Sequence, residues 1–147
     1  MKVLVTGGAG YIGSQLVQTL AYNSSVEKIV VYDNLTRDNF SFFLNHQKIA
    51  GNKISFVHGD ILDTRKLRKA LIDIDVVYHL AARVSTPFSN TDSHFYEQVN
   101  HWGTAELVYA VEESKTVKQL VYLSSTSVYG SSKEEVSEET LPNPKTF

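Results

Sequence analysis

Three glycines, Gly7, Gly10 and Gly13, recur at three-residue intervals within Val3-Leu4-Val5-Thr6-Gly7-Gly8-Ala9-Gly10-Tyr11-Ile12-Gly13-Ser14. Each missing side chain has its own use: a tight turn, close approach of the backbone to a pyrophosphate, and tight packing of a helix on a strand. The turn would open a helix whose unpaired N–H groups, with the helix dipole behind them, form an anion site. Glycines alone would serve a plain tight turn equally well, so the flanking segments decide. A short apolar run precedes the turn, and a helix-compatible segment carrying Leu16, Val17 and Leu20 follows it. A P-loop would need Gly-Lys-Ser/Thr, whereas Gly13 is followed by Ser14-Gln15. A nucleotide site other than a P-loop is therefore expected here. Asp33 lies 20 residues beyond Gly13, where an acidic side chain takes the hydroxyls of an adenosine ribose. A carboxylate there repels a 2′-phosphate and favours NAD over NADP. Arg37, four residues on, is the competing feature, because an arginine in this loop would serve NADP. An ordinary loop aspartate is the plain alternative for Asp33.

The elements that must position these residues follow from hydrophobic pattern. After the first apolar run come Ile29–Tyr32, Ile54–Val57, Val76–Leu80 and Leu120–Leu123. They are short, rich in Val and Ile, and barely alternate, which predicts strands buried on both faces. Asp38 is expected to cap a helix ending near Gly51, and Asp63 one ending near Asp73. The longest predicted helix spans Asp92 to Ser114, with Phe95, Val99, Trp102, Leu107, Val108 and Val111 on it. Strand and helix alternate throughout, which implies an α/β, doubly wound parallel sheet of the Rossmann type, with right-handed crossovers and helices on both faces. Beyond Gly130 the chain turns polar, from Ser131 through Glu139 to Pro142 and Pro144. A domain cut before its last strands and its substrate region is the expectation.

Composition narrows the class. The 147 residues are 42% hydrophobic and 20% charged, with net charge −2 and no basic run, so neither nucleic acid nor a membrane surface is indicated. The absence of cysteine excludes disulfides, thiolate metal ligands and thiol nucleophiles. No signal-peptide core or membrane-length apolar run is present, and a cytoplasmic protein is expected. His46, His58, His79, His94 and His101 are scattered without metal-ligand spacing, so no metal is expected. His79 reads as a packed residue at a strand end, and Trp102 as core or a helix–helix surface.

Six motifs occur in one order: Thr-Gly-Gly-Ala-Gly-Tyr-Ile-Gly, Asp33-Asn34-Leu35, Gly59-Asp60-Ile61, His79-Leu80-Ala81-Ala82, Asn100 with Gly103-Thr104, and Ser124-Ser125-Thr126-Ser127-Val128-Tyr129-Gly130. Together they resemble the extended short-chain dehydrogenases/reductases, specifically the NAD-dependent nucleotide-sugar epimerase/dehydratase group typified by UDP-glucose 4-epimerase. The resemblance runs from Met1 to Phe147. It implies that Tyr11 and Ile12 lie along the pyrophosphate and that Asp33 and Asn34 meet the adenosine ribose. Asp60 and Ile61 would meet the adenine, Leu80, Ala81 and Ala82 would let the backbone pass close to NAD, and Asn100 would bond to backbone or cofactor groups. Read without the resemblance, Asp60 is a turn aspartate capping the next helix.

The resemblance also assigns Ser125 as the catalytic hydroxyl that holds the sugar oxygen beside a catalytic tyrosine. That tyrosine needs a lysine four residues later to lower its pKa, since a phenol near ~10 is a poor base at neutral pH. Tyr129-Gly130-Ser131-Ser132-Lys133 has this spacing, but it lies only four residues after Ser125, at a strand exit. The family's working pair opens a helix about two dozen residues downstream, which would fall just past Phe147. Dehydratase members carry Asp-Glu after the catalytic Thr, and here Thr126-Ser127 stand there. The reading is thus the cofactor-binding part of an epimerase with a UDP-sugar substrate. A reductase or dehydrogenase of the same family and a non-catalytic NAD(P)-binding regulator are the alternatives. Ser85 and Thr86 are placed near the sugar, and the long helix is expected to pair two subunits into a homodimer.

Overall fold

Lys2–Thr6 forms β1, and a turn of four residues leads into α1, Tyr11–Tyr22. The computed structural model describes residues 1–40, 42–43, 51–84, 91–133 and 135–145. β2 (Lys28–Asp33), β3 (Ile54–His58), β4 (Val76–His79) and β5 (Gln119–Tyr122) complete a five-stranded sheet. All neighbours are parallel and the order is β3-β2-β1-β4-β5, so the chain winds outward from β1 in both directions. Helix α2 is Thr64–Ala70, α3 is Ser93–Glu97 and α4 is Gly103–Glu112.

Side-chain alternation along the strands builds two cores. Val3, Val5, Ile29 and Val31 pack with Val17 and Leu20 of α1 on one face. Leu4, Val30, Tyr32 and Val77 pack with Leu67 of α2 and with Leu107 and Ala110 of α4 on the other. Full burial of such a Val or Leu contributes roughly 1.5–3 kcal/mol, so the layered sandwich rests on the central strands. There the expectation of strands buried on both faces holds: β1 and β2 are almost wholly buried. It fails at β3 and β5, which are only partly buried because they are the sheet edges.

Asp75 ties the strand starts together. Its carboxylate accepts from the Lys2 amide at 2.8 Å, its own amide donates to the Lys2 carbonyl, and Lys118, just before β5, reaches it at 3.5 Å. The Lys2 N–H, aided by Lys118, holds this carboxyl below its ordinary value.

Asp63 caps α2 as expected, accepting from the Lys66 amide at 3.0 Å. Asp38 lies in a turn with φ 52°, and most of the helix expected after it lies outside the described residues. The long helix differs from expectation at its centre. Between α3 and α4, Gln98–Trp102 is a π turn, in which the Gly103 amide donates to the Gln98 carbonyl five residues back. Trp102 is 57% exposed and stacks on His101, so it is not core. Among the described residues, no helix is long and apolar enough to cross a membrane.

Candidate functional site

The C-terminal edges of β1, β2, β3 and β4 gather most of the residues singled out by sequence. In an open α/β sheet this is where ligands bind, at the point where strand order reverses. β1 is that point here, since β2 lies on one side of it and β4 on the other.

The three glycines have three different surroundings. Gly7 has φ +67°, and a Cβ on it would meet the Ala81 nitrogen at 2.6 Å, so the turn rests directly on the chain leaving β4. A Cβ on Gly13 would run into the Gly7 carbonyl oxygen and meet Gly8 Cα at 2.6 Å, so this glycine lets α1 lie against its own entry turn. Gly10 differs. Its backbone is extended, and a Cβ would meet only the Gly7 oxygen, at 3.1 Å. Of the three, Gly10 is therefore the least enclosed by protein, with a single backbone oxygen near a side chain there, as a group approaching from outside requires.

The N-terminus of α1 fits an anion on a second count. The first amides of any helix lack intrahelical acceptors. Asp63 supplies one for α2, but α1 starts at Gly10 with no side-chain cap and no acidic residue in its first turn. Tyr11 is 94% exposed and Ile12 56%, so both flank this end from the solvent side.

Asp33 closes β2 beneath the turn. One carboxylate oxygen accepts from the Ala9 amide at 3.0 Å and the other from the Leu35 amide at 2.8 Å. It therefore braces the glycine turn and keeps lone pairs free for hydroxyl donors. Asn34 donates from Nδ2 to Asp60 at 2.9 Å, joining the ends of β2 and β3, and the other Asp60 oxygen accepts from the Leu62 amide. Tyr32 reaches the same loop from below, donating its hydroxyl to the Asp60 carbonyl at 2.7 Å. Burial, with Asp63 and Asp60 nearby, pushes that phenol up to about 12, so it stays a donor. Ile61 is buried, and only the missing side chain of Gly103 lets the long helix pass it. Arg37 is exposed in the loop after β2.

Leu80, Ala81 and Ala82 leave β4 under Gly7, the Leu80 amide donating to the Thr6 carbonyl at 3.0 Å. Asn100, on the π turn, clamps the next residue: its oxygen accepts from the Arg83 amide at 2.8 Å and its nitrogen donates to the Arg83 carbonyl at 3.0 Å. The Arg83 guanidinium lies 4.4 Å from the centre of the Phe95 ring.

Ser125 stands apart, beyond the edge strand β5. Its hydroxyl accepts from the Ser127 amide and hydroxyl and starts a 3₁₀ turn, Thr126–Tyr129. Ser124 through Ser127 are exposed. Tyr129 ends that short turn, with Lys133 exposed beyond it, so the Tyr-x-x-x-Lys spacing here is not carried on a helix. Ser85, Thr86 and His46 lie outside the described residues. Among the described residues, no group of three acidic or His side chains is placed to hold a metal.

Sequence reasoning did not find the polar contacts of Thr6, His79 and Thr104. His79 was read as packing, and it is 2% exposed, yet both ring nitrogens are hydrogen-bonded. A histidine in the last position of a strand otherwise buried on both faces was the available signal.

This strand order, with a glycine-rich turn between the central strand and α1, defines a Rossmann-type domain. A sequence profile of the NAD-dependent epimerase/dehydratase family matches residues 3–146, and the chain belongs to that family. It is 40% identical over 134 residues to UDP-glucose 4-epimerase of Yersinia enterocolitica, covering 88% of this chain and 38% of that protein. It is 33% identical over 149 residues to human dTDP-D-glucose 4,6-dehydratase, covering 99% and 41%. Among solved structures, UDP-glucuronic acid 4-epimerase from Bacillus cereus, in complex with UDP-glucuronic acid and NAD, superposes with a TM-score of 0.85 at 37% identity, over 99% of this chain and 47% of that one. The chain thus spans about two-fifths of the length of these curated relatives.

Proposed function

We propose that this chain is the NAD-binding part of a nucleotide-sugar 4-epimerase that acts on a UDP-sugar. The observation that carries the cofactor half is the sparse protein packing at Gly10, where a side chain would meet one backbone oxygen, set against the uncapped first turn of α1. In this reading the first-turn amides of α1 hold the pyrophosphate, flanked by Tyr11 and Ile12. Asp33 and Asn34 take the adenosine ribose. The Asp60 carboxylate and the Ile61 backbone face the adenine, the Ile61 side chain being committed to the core. Leu80, Ala81 and Ala82 form the floor beneath the nicotinamide end, and Asn100 holds that floor through Arg83. Bound NAD would accept a hydride from the sugar and return it to the opposite face.

Ser125 would hold the reacting sugar hydroxyl. A serine hydroxyl is too weak an acid–base group to deprotonate it, so the base is assigned to a Tyr-x-x-x-Lys beyond Phe147. The relatives' greater length is compatible with this. Epimerase is preferred to dehydratase because Thr126 and Ser127 offer no carboxylate for an elimination. A cytoplasmic homodimer joined through the long helix, whose Trp102 and Tyr109 are exposed, completes the proposal.

The test is to supply the product of the entire gene with NAD and UDP-sugars and to follow both sugar and NADH. Interconversion of 4-epimers without net NADH supports the reading. Stoichiometric NADH would make the protein a dehydrogenase, and a 4-keto-6-deoxy product a dehydratase.

A further inference from the structure

We propose that Thr6, His79 and Thr104 form a one-way hydrogen-bond relay that fixes the glycine turn, the chain leaving β4 and the π turn in mutual register, with His79 a positioning residue for the dinucleotide site. The inference rests on the NAD reading above.

Register and alternation bring the three side chains together. Thr6 and His79 are paired residues at the ends of β1 and β4. They share the sheet face of Leu4 and Val77, which the long helix covers. Thr6 Oγ1 lies 2.6 Å from His79 Nδ1, and Thr104 Oγ1 lies 2.9 Å from His79 Nε2.

The proton positions follow from the ends of the chain. Thr104 Oγ1 donates its only proton to the Asn100 carbonyl at 2.6 Å, so towards His79 it can only accept. Nε2 therefore carries the imidazole proton. A neutral ring then leaves Nδ1 as an acceptor, and the Thr6 hydroxyl donates to it. Thr6 Oγ1 in turn accepts from the Ala81 amide at 3.3 Å. Burial pushes the imidazole down to about 4, which keeps it neutral through the physiological range.

Every donor thus points the same way, from the Ala81 amide to the Asn100 carbonyl. Both ends are backbone groups that neither release nor take up a proton, so the relay is not a proton wire. What it joins is informative. Ala81 is the residue that a Gly7 side chain would strike, and Asn100 is the residue that clamps Arg83. The Thr104 hydroxyl thus reaches back into the π turn and holds the Asn100 carbonyl. Neutral histidine suits the middle position because its ring offers one acceptor and one donor on opposite sides.

The experiment uses nitrogen NMR of the imidazole and calorimetry with NAD. In the unmodified chain, His79 should show the Nε2–H tautomer from pH 7 to pH 5. Thr104→Val removes the acceptor, and NAD affinity should fall about tenfold. Thr104→Ser, which keeps the hydroxyl, should restore it to within about twofold. Should Thr104→Val not fold, Thr6→Val makes the same test from the other end. An Nδ1–H tautomer in the unmodified chain would overturn the relay. So would a folded Thr104→Val or Thr6→Val variant that binds NAD as tightly as the unmodified chain, since a purely structural role lowers stability and leaves affinity alone. An unmodified chain that binds no NAD would instead overturn the cofactor reading and this role with it.

Discussion

The Gly7–Gly13 turn and the Ser124–Gly130 segment both leave the C-terminal ends of parallel strands, yet they are built differently. The turn leaves the central strand, and backbone of the chain leaving β4 and of α1 packs against it at close range. Three polar contacts brace it: Ala9 with Asp33, Thr6 with His79, Ala81 with Thr6. The second segment leaves an edge strand, its serines are exposed, and among the described residues the Ser125 hydroxyl bonds within its own turn. Strand position explains the contrast. A central strand has neighbours on both sides to supply walls, and an edge strand has one. The glycine turn is therefore walled by neighbouring elements, whereas the Ser124–Gly130 segment, among the described residues, holds Ser125 through its own turn.

The largest expected effect tests that contrast directly. The 147-residue chain should bind NAD but show no turnover with UDP-, GDP- or dTDP-sugars. Loss of a general base costs about 10²–10⁴-fold, and loss of positioning adds to it. NADH absorbance and product sugars are the readouts. Turnover that vanishes in Tyr129→Phe would show that the nearer Tyr-x-x-x-Lys is the working pair.

Next, two glycines should separate folding from binding. Gly10→Val should leave the chain folded and weaken NAD on the order of 100-fold, because past the single Gly7 oxygen the side chain enters space the protein does not fill. Gly13→Ala should cost stability instead, about 1–3 kcal/mol or more, because its Cβ meets rigid backbone. Calorimetry and denaturant midpoints distinguish them. Equal NAD affinity in Gly10→Val would break the comparison.

His79 gives a pH signature to the central region that the edge lacks. Its folded pKa is about 4 against an ordinary 6.5, so the unfolded chain takes up the proton first. The stabilisation is complete above pH 6.5 and declines as pH falls towards 4. Between pH 7 and 5 the loss should be about 2 kcal/mol. His79→Gln should abolish that slope in urea titrations, while the unmodified chain keeps it.

The smallest effect concerns cofactor choice. Asp33→Asn keeps an acceptor for the Ala9 amide but removes the charge that repels a 2′-phosphate. The preference for NAD over NADP should narrow about tenfold, roughly 1.4 kcal/mol. A starting chain that binds both equally would move the decision to Arg37.

Much of this was legible in one dimension. Val/Ile-rich runs, the spacing of Gly7, Gly10 and Gly13, and Asp33 after the second run specify strand, turn, helix and strand because their signals are local. Alternation and glycine geometry act within a few residues. Asp63 could be read as a cap for the same reason. The Asn34–Asp60 contact, the Arg83 clamp by Asn100 and the π turn were not readable, since each depends on which strand end or helix face meets another.

Sequence by itself thus determined the order of elements, the central glycine-rich turn and the motifs that resemble the family. Tertiary structure alone decided that a side chain at Gly10 would meet one backbone oxygen while one at Gly13 would collide with several backbone atoms, although the two are the same residue three positions apart. It also decided that β3 and β5 are edges and that Trp102 is exposed. His79 is the clearest case. Burial and two threonines, 73 and 25 residues away along the chain, convert a packed histidine into a directed bridge between β1 and α4. No pattern of neighbours in sequence carries that information, because the partners meet only once parallel pairing has set the strands in register.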